Sequence, residues 1–271
     1  AGNAAVDANR ADHDYVMRIV TIQDTTPGLL TLNGDREITL EAGVDTYEEL
    51  GATVVDLVDG TIDNLQPVLI NYSVNGEFKG SVDSVDTAKV GTYKIVYKYT
   101  DKAGNAAVDA NRPDHDYVMR IVTIQDTTPG LLTLNGDREI TLEAGVDTYE
   151  ELGATVVDLV DGTIDNLQPV LINYSVNGEF KGSVDSVDTA KVGTYKIVYK
   201  YTDKAGNAAV DANRADHDYV MRIVTIQDTT PGLLTLNGDR EITLEAGVDT
   251  YEELGATVVD LVDGTIDNLQ P

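Results

Sequence analysis

Cysteine is absent from the 271 residues. Nothing in the chain is therefore stapled by disulfides, and a secreted fold of this kind must gain its stiffness elsewhere. No apolar stretch approaches the ~18 residues that a membrane-spanning helix needs. Basic residues are scarce: 19 Lys and Arg stand against 47 Asp and Glu, a formal charge of −28. That imbalance excludes nucleic acid, whose phosphates need a basic face, and disfavours anionic membrane surfaces for the same reason. A divalent cation is the natural counter-charge. Nucleophilic catalysis lacks its parts too. There is no thiol, no G-x-S-x-G elbow, and one His with few Ser in each repeated unit, so the chain is expected not to be an enzyme.

What the chain does have is a repeat. The segment AGNAAVDANR begins at Ala1, Ala103 and Ala205, a period of 102 residues, and the copies are nearly identical. One position differs, occupied by Ala11, Pro113 and Ala215. A solenoid unit runs roughly 20–50 residues, whereas about 100 residues is a whole immunoglobulin-type sandwich. The unit is thus a domain, and the chain reads as beads on a string. Each period carries 17 acidic and 8 basic residues. Such acidity can mark disorder. Here the chain is 42% hydrophobic with 14 Tyr, and its apolar residues alternate, which argues for packed strands.

One period is read from Thr26 to Thr127. Strands are expected at 29–32, 37–41, 52–55, 68–74, 80–87, 92–100 and 117–124, with a loop over 56–64. Asn33-Gly34 and Asn75-Gly76 are turn signals. In 92–100, Tyr93, Ile95, Tyr97 and Tyr99 share one face, with Lys94 and Lys98 on the other. About seven short strands with Gly, Asn and Asp turns and no helical period give an all-β fold: tandem immunoglobulin-like antiparallel β-sandwiches. The expected layout is a C-terminal stub of a preceding repeat at 1–25, complete repeats at 26–127 and 128–229, and the N-terminal part of another at 230–271. The chain then reads as a window on a longer array. Asp126-Thr127-Thr128-Pro129 is a short linker whose proline restricts the orientation of its neighbours.

Asp24-Thr25-Thr26-Pro27, LTLNGDREITLEAG (30–43), Tyr47, GATVVDLVDG (51–60) and VGTYKIVYKYTDKAGNAA (90–107) together resemble a bacterial Ig-like family. It is the domain type named after an insecticidal crystal protein and related to hyalin-repeat modules. The resemblance covers almost the whole period. It implies an Ig-like sandwich used in tandem in large surface adhesins and other extracellular proteins, without catalysis, and with calcium often bound near the junctions of related domains. Two features depart from the pattern. Gly28 stands where a second proline is usual, and VDANRADHDY (6–15, 108–117, 210–219) lengthens the last hairpin.

In an Ig-type sandwich the incoming linker, the loop after the second strand and the last hairpin loop lie near one end. For 26–127 this gathers Asp24, Asp56, Asp59, Asp63, Asp101, Asn105, Asp109, Asp114 and Asp116. The next repeat offers Asp126, Asp158, Asp161, Asp165, Asp203, Asn207 and Asp218. Calcium takes about six to eight oxygens in flexible geometry, which such a set supplies. The same residue types also serve turns for backbone reasons, and no D-x-D-x-D-G…E loop is spelled out. His13, His115 and His217 are flanked by Asp, but neighbours in a strand point to opposite faces, so a solvated loop histidine is expected rather than a metal ligand. Lys94 and Lys98 lie on the face away from the apolar stripe, which disfavours an isopeptide cross-link. The tyrosine stripe reads as packed sheet before it reads as a sugar platform.

The expected function is that of an extracellular spacer: a stalk or filament segment whose neighbours are identical repeats, stiffened by Ca2+ at the joints and open to lateral self-association. The alternative is a carbohydrate- or protein-binding module that gains avidity from repetition.

Overall fold

In the computed structural model, residues 3–271 are described. The chain divides into two compact units, one ending at Gln125 and the other beginning at Asp126.

The first unit holds nine strands: β1 (Leu29–Leu32), β2 (Glu37–Glu41), β3 (Ala52–Asp56), β4 (Gly60–Leu65), β5 (Leu69–Val74), β6 (Glu77–Val82), β7 (Gly91–Tyr97), β8 (Val108–Asp109) and β9 (Val118–Gln125). They form two sheets, ordered β4-β3-β1-β8 and β2-β9-β7-β5-β6. The sequence-based class, an all-β Ig-like sandwich, is what the chain adopts. In detail it has nine strands where seven were expected. β1–β8 and β2–β9 pair in parallel, and the remaining pairs are antiparallel.

The period-2 patterns explain which faces meet. Tyr93, Ile95 and Tyr97 of β7 are fully buried against Val118, Val122 and Ile124 of β9, with Leu30 and Val54 from the opposite sheet. The tyrosine stripe is therefore core, and Tyr99 lies beyond the end of β7. Asn75 and Gly76 both take positive φ, 50° and 80°, the left-handed pair that a tight hairpin requires. The expected loop over 56–64 turns out to be a hairpin. Its returning strand β4 carries half-buried Ile62 and Leu65, three apart because a register shift lies between Ala52 and Val54.

β1 and β2 belong to different sheets, and the chain crosses between them at Asn33–Arg36. Arg120, on the inward face of β9 and fully buried, holds that crossing. Its guanidinium donates to the carbonyls of Asn33 and Asp35, to Tyr47 Oη at 3.2 Å, and to Glu49. Glu49 also accepts from Tyr97, Tyr47 and the Gly51 N–H. Burial alone would raise the Glu49 carboxyl, but the tyrosine and backbone hydrogen bonds and the Arg120 charge hold it below the usual range. Burial pushes the Tyr47 hydroxyl up to about 12. Because the folded Glu49 value lies below the unfolded one, its stabilisation is complete above that ordinary value and is lost as pH falls through the folded one. The urea midpoint should thus be level from about pH 5 upward and drop in acid, and Glu49→Gln with Glu151→Gln should flatten the drop. An acid limb identical in both proteins would refute this role.

The lengthened hairpin folds back as β8, beside β1. Asp109 is fully buried there, and its carboxylate accepts from the Asn111 N–H (2.9 Å), Arg112 (3.2 Å) and Arg36 (3.4 Å).

The second unit repeats this arrangement in β10 (Leu131–Leu134), β11 (Glu139–Glu143), β12 (Ala154–Asp158), β13 (Gly162–Leu167), β14 (Leu171–Val176), β15 (Glu179–Val184), β16 (Gly193–Tyr199), β17 (Val210–Asp211) and β18 (Val220–Gln227). It then adds β19 (Leu233–Leu236), β20 (Ala256–Asp260) and β21 (Gly264–Leu269) as a separate three-stranded sheet. Among the described residues no helix is long and apolar enough to cross a membrane.

Candidate cation site

Three carboxylates converge at the linker end of the first sandwich. Asp24 comes from the linker, Asp56 from the last residue of β3, and Asp101 from the turn after β7. One oxygen of each lies within 4.8 Å of the others, and Asp56 and Asp101 are each only 6% exposed. Short turns aim these side chains. Asp56 Oδ1 accepts from the Val58 and Asp59 N–H groups, both at 2.8 Å, which bends the β3–β4 tip around it and leaves Oδ2 available. Asp24 Oδ1 accepts from the Thr26 N–H at 3.1 Å. Asp101 accepts from the Asn105 N–H (2.7 Å) and Nδ2 (2.8 Å), in a turn where Gly104 takes φ +97°. Asn105 Nδ2 also reaches the Asp24 carbonyl at 3.3 Å, fastening the linker to the turn. Burial works to raise the Asp101 carboxyl, but these donors overcome it and hold it below the usual range.

The other acids expected here go elsewhere. Asp59 borders the cluster but pairs with Lys102, whose Nζ lies 3.1 Å away and whose N–H also donates to it. Lys102 feels the Asp56 charge yet gives its ion pair to Asp59. Asp63 is exposed on β4, where Thr53 Oγ1 is 3.5 Å away. Asp109 is taken by Arg36 and Arg112, and Asp116 pairs with Lys98 at 3.0 Å. Asp114 lies 3.0 Å from Nδ1 of His115, whose ring meets Tyr117 edge-on. The Asp-His-Asp triplet is therefore split between two partners and does not converge.

The second sandwich repeats these contacts. Asp126, Asp158 and Asp203 are buried. Asp158 Oδ1 accepts from the Val160 and Asp161 N–H groups, and Asn207 bridges Asp203 Oδ2 (2.8 Å) and the Asp126 carbonyl (3.1 Å). Asp161 pairs with Lys204 and Asp218 with Lys200, while Asp165 lies exposed on β13.

The Asp24–Asp56–Asp101 cluster fits calcium in size and in chemistry. Oxygens around one calcium ion lie about 2.3–2.6 Å from it, so opposed ligands are about 5 Å apart. The three carboxylate oxygens span no more than 4.8 Å. All the donors are hard oxygens, and the neighbouring lysine, Lys102, gives its ion pair to Asp59 rather than to any of the three.

The profile of the family described as "Bacterial surface protein, Ig-like domain" matches twice, over residues 30–113 and 132–215. A search of curated proteins found no match. Among solved structures, the fibronectin(III)-like modules of Clostridium thermocellum CbhA align at 12% identity over 73% of this chain and 94% of that one, with a TM-score of 0.20. A chimeric titin Z1Z2-Z1Z2 tandem carrying an exogenous GRGDS peptide from fibronectin aligns at 10% identity over 75% and 97%, with a TM-score of 0.17. A pair of titin Ig tandem domains aligns at 10% over 76% and 96%, with a TM-score of 0.18.

Proposed function

Because the chain belongs to the bacterial surface protein, Ig-like domain family, we propose that it is a non-catalytic extender of a cell-surface protein, stiffened by calcium where repeats meet. The observation that carries this reading is the convergence of a linker acid, Asp24, with two buried acids of the sandwich it leads into. A domain that only needed solvated turns would have little reason to draw three like charges together, two of them out of water. Asp24, Asp56 and Asp101 would hold the ion, as would Asp126, Asp158 and Asp203 in the next repeat. The ion would supply the missing positive charge and tie the linker to its sandwich. Length would come from the number of repeats and reach from the stiffness of the joints.

Small-angle scattering and calorimetry on the whole chain, with calcium and then with EDTA, test the proposal. The expected result is an extended particle whose melting temperature falls on chelation. Unchanged melting on chelation would remove calcium from the reading. A compact particle under both conditions would remove the extender itself.

A further inference from the structure

In the second unit the linker Asp228-Thr229-Thr230-Pro231 can be followed on both of its sides. On the preceding side, the Glu143 carboxylate at the end of β11 takes four hydrogen bonds from it. Oε1 accepts from the Thr229 N–H (2.7 Å), the Thr230 N–H (3.0 Å) and Thr230 Oγ1 (2.9 Å), while Oε2 accepts from Thr229 Oγ1 (2.8 Å). These donors hold the Glu143 carboxyl below its usual range, with the Thr229 N–H contributing most. On the following side, Asp260 Oδ1 accepts from the Val262 and Asp263 N–H groups, folding the β20–β21 tip as Asp56 folds its own.

That tip meets the preceding sandwich. Val262 is half-buried against the core cluster that contains Ala144. Leu261 Cβ lies 3.7 Å from where a Cβ on the next residue, Gly145, would stand. Gly145 takes φ +68°, and its N–H is fixed on the Thr189 carbonyl at 3.0 Å, so the corner is bare of side chain and firmly placed. On the first sandwich the same tip is open, with Leu57 88% and Val58 69% exposed. In the second unit the tip valine, Val262, is half-buried against the preceding repeat, where the same position of the first sandwich, Val58, is open.

We propose that the joint between repeats is a two-point latch that closes without any bound cation: a glutamate clamp on the linker threonines, and a Leu-Val tip seated on the Ala-Gly corner of the preceding repeat. The idea rests on the extender reading only in needing repeats in tandem. It adds that the preceding repeat grips the linker, while the acid cluster belongs to the repeat that follows.

The chain has no cysteine, so spin labels can be placed cleanly at Lys181→Cys and Thr265→Cys. Their distance distribution is measured by double electron–electron resonance in EDTA. The parent should give a narrow distribution, and Glu143→Ala and Val262→Asp should each broaden it at least about twofold. Val58, the counterpart of Val262 on the first sandwich, is 69% exposed, so the position is not needed by its own sheet, and an unchanged melt of the second sandwich confirms that Glu143→Ala leaves that fold intact. Unchanged widths in either variant overturn the two-point latch. A parent that is broad in EDTA and narrows only with calcium overturns it as well, while leaving the calcium-stiffened extender standing.

Discussion

Arg120→Met should unfold the first repeat far ahead of the second. The guanidinium is fully buried and donates to Asn33 O, Asp35 O, Tyr47 and Glu49. Methionine would fill most of the volume and supply none of these donors. It would leave a carboxylate and two carbonyls without their partner, and breaking one side of such a pair costs about 3–5 kcal/mol. For a domain of this size each kcal/mol is worth roughly 4–8 °C, so the transition should fall by more than about 10 °C. The chain contains its own control. Arg222 makes the matching contacts with Asn135, Asp137, Tyr149 and Glu151 in the second sandwich and is untouched by the substitution. Calorimetry should therefore show one transition split into two. Adding Glu49→Gln should return part of the loss, because no uncompensated charge is then left behind. A single unshifted transition for Arg120→Met would mean that the cluster contributes little.

The sequence alone did not single out this arginine, although Val118, Arg120, Val122 and Ile124 fall on one face of a strand whose other members are plainly core. Its partner was not legible, since Glu49 sits in a stretch with no period at all. The β7 stripe and the Asn75-Gly76 turn could be read directly, because each depends on neighbours in sequence. Strand β4 could not, because the register shift opposite it breaks the alternation that marks a strand. The limit is clearest where identical sequence behaves differently. VMRIVTI forms buried strand at 118–124, between β2 and β7, yet its copy at 16–22 forms no strand, and Ile19, Val20 and Ile22 there are 77%, 73% and 92% exposed. The same holds for EITLE, which is β2 beside β9 and unpaired at 241–245. A strand of this kind is a property of the sheet that receives it. For the acids, residue type and the end of the sandwich were legible. The choice among them was not, since it depends on side-chain direction: Asp59 turns to Lys102 and Asp116 crosses to Lys98, while Asp24, Asp56 and Asp101 face one another.

That inward facing leads to an opposite-signed effect for Asp56→Asn with and without calcium. Oδ1 of Asp56 shapes the hairpin tip by accepting from Val58 and Asp59, and an asparagine carbonyl can do the same. The change falls on the other atom, where a carboxylate oxygen facing two carboxylates becomes an NH2 that can donate to them. In EDTA the substitution removes one of three crowded charges and adds a donor, so the first repeat should melt higher than the parent. With calcium the order should reverse. An ion present at a thousandfold excess over its dissociation constant stabilises the folded parent by about 4 kcal/mol, and the variant forfeits most of that with one ligand charge gone. The second repeat keeps Asp158 and again serves as the reference within the same melt. Loss of stability in both conditions would mark Asp56 as a turn residue whose second oxygen has a structural partner. Higher stability in both would mean that the cluster holds no calcium at working concentrations. Only a crossing of the two melting curves on chelation is what a cation site made by Asp24, Asp56 and Asp101 demands.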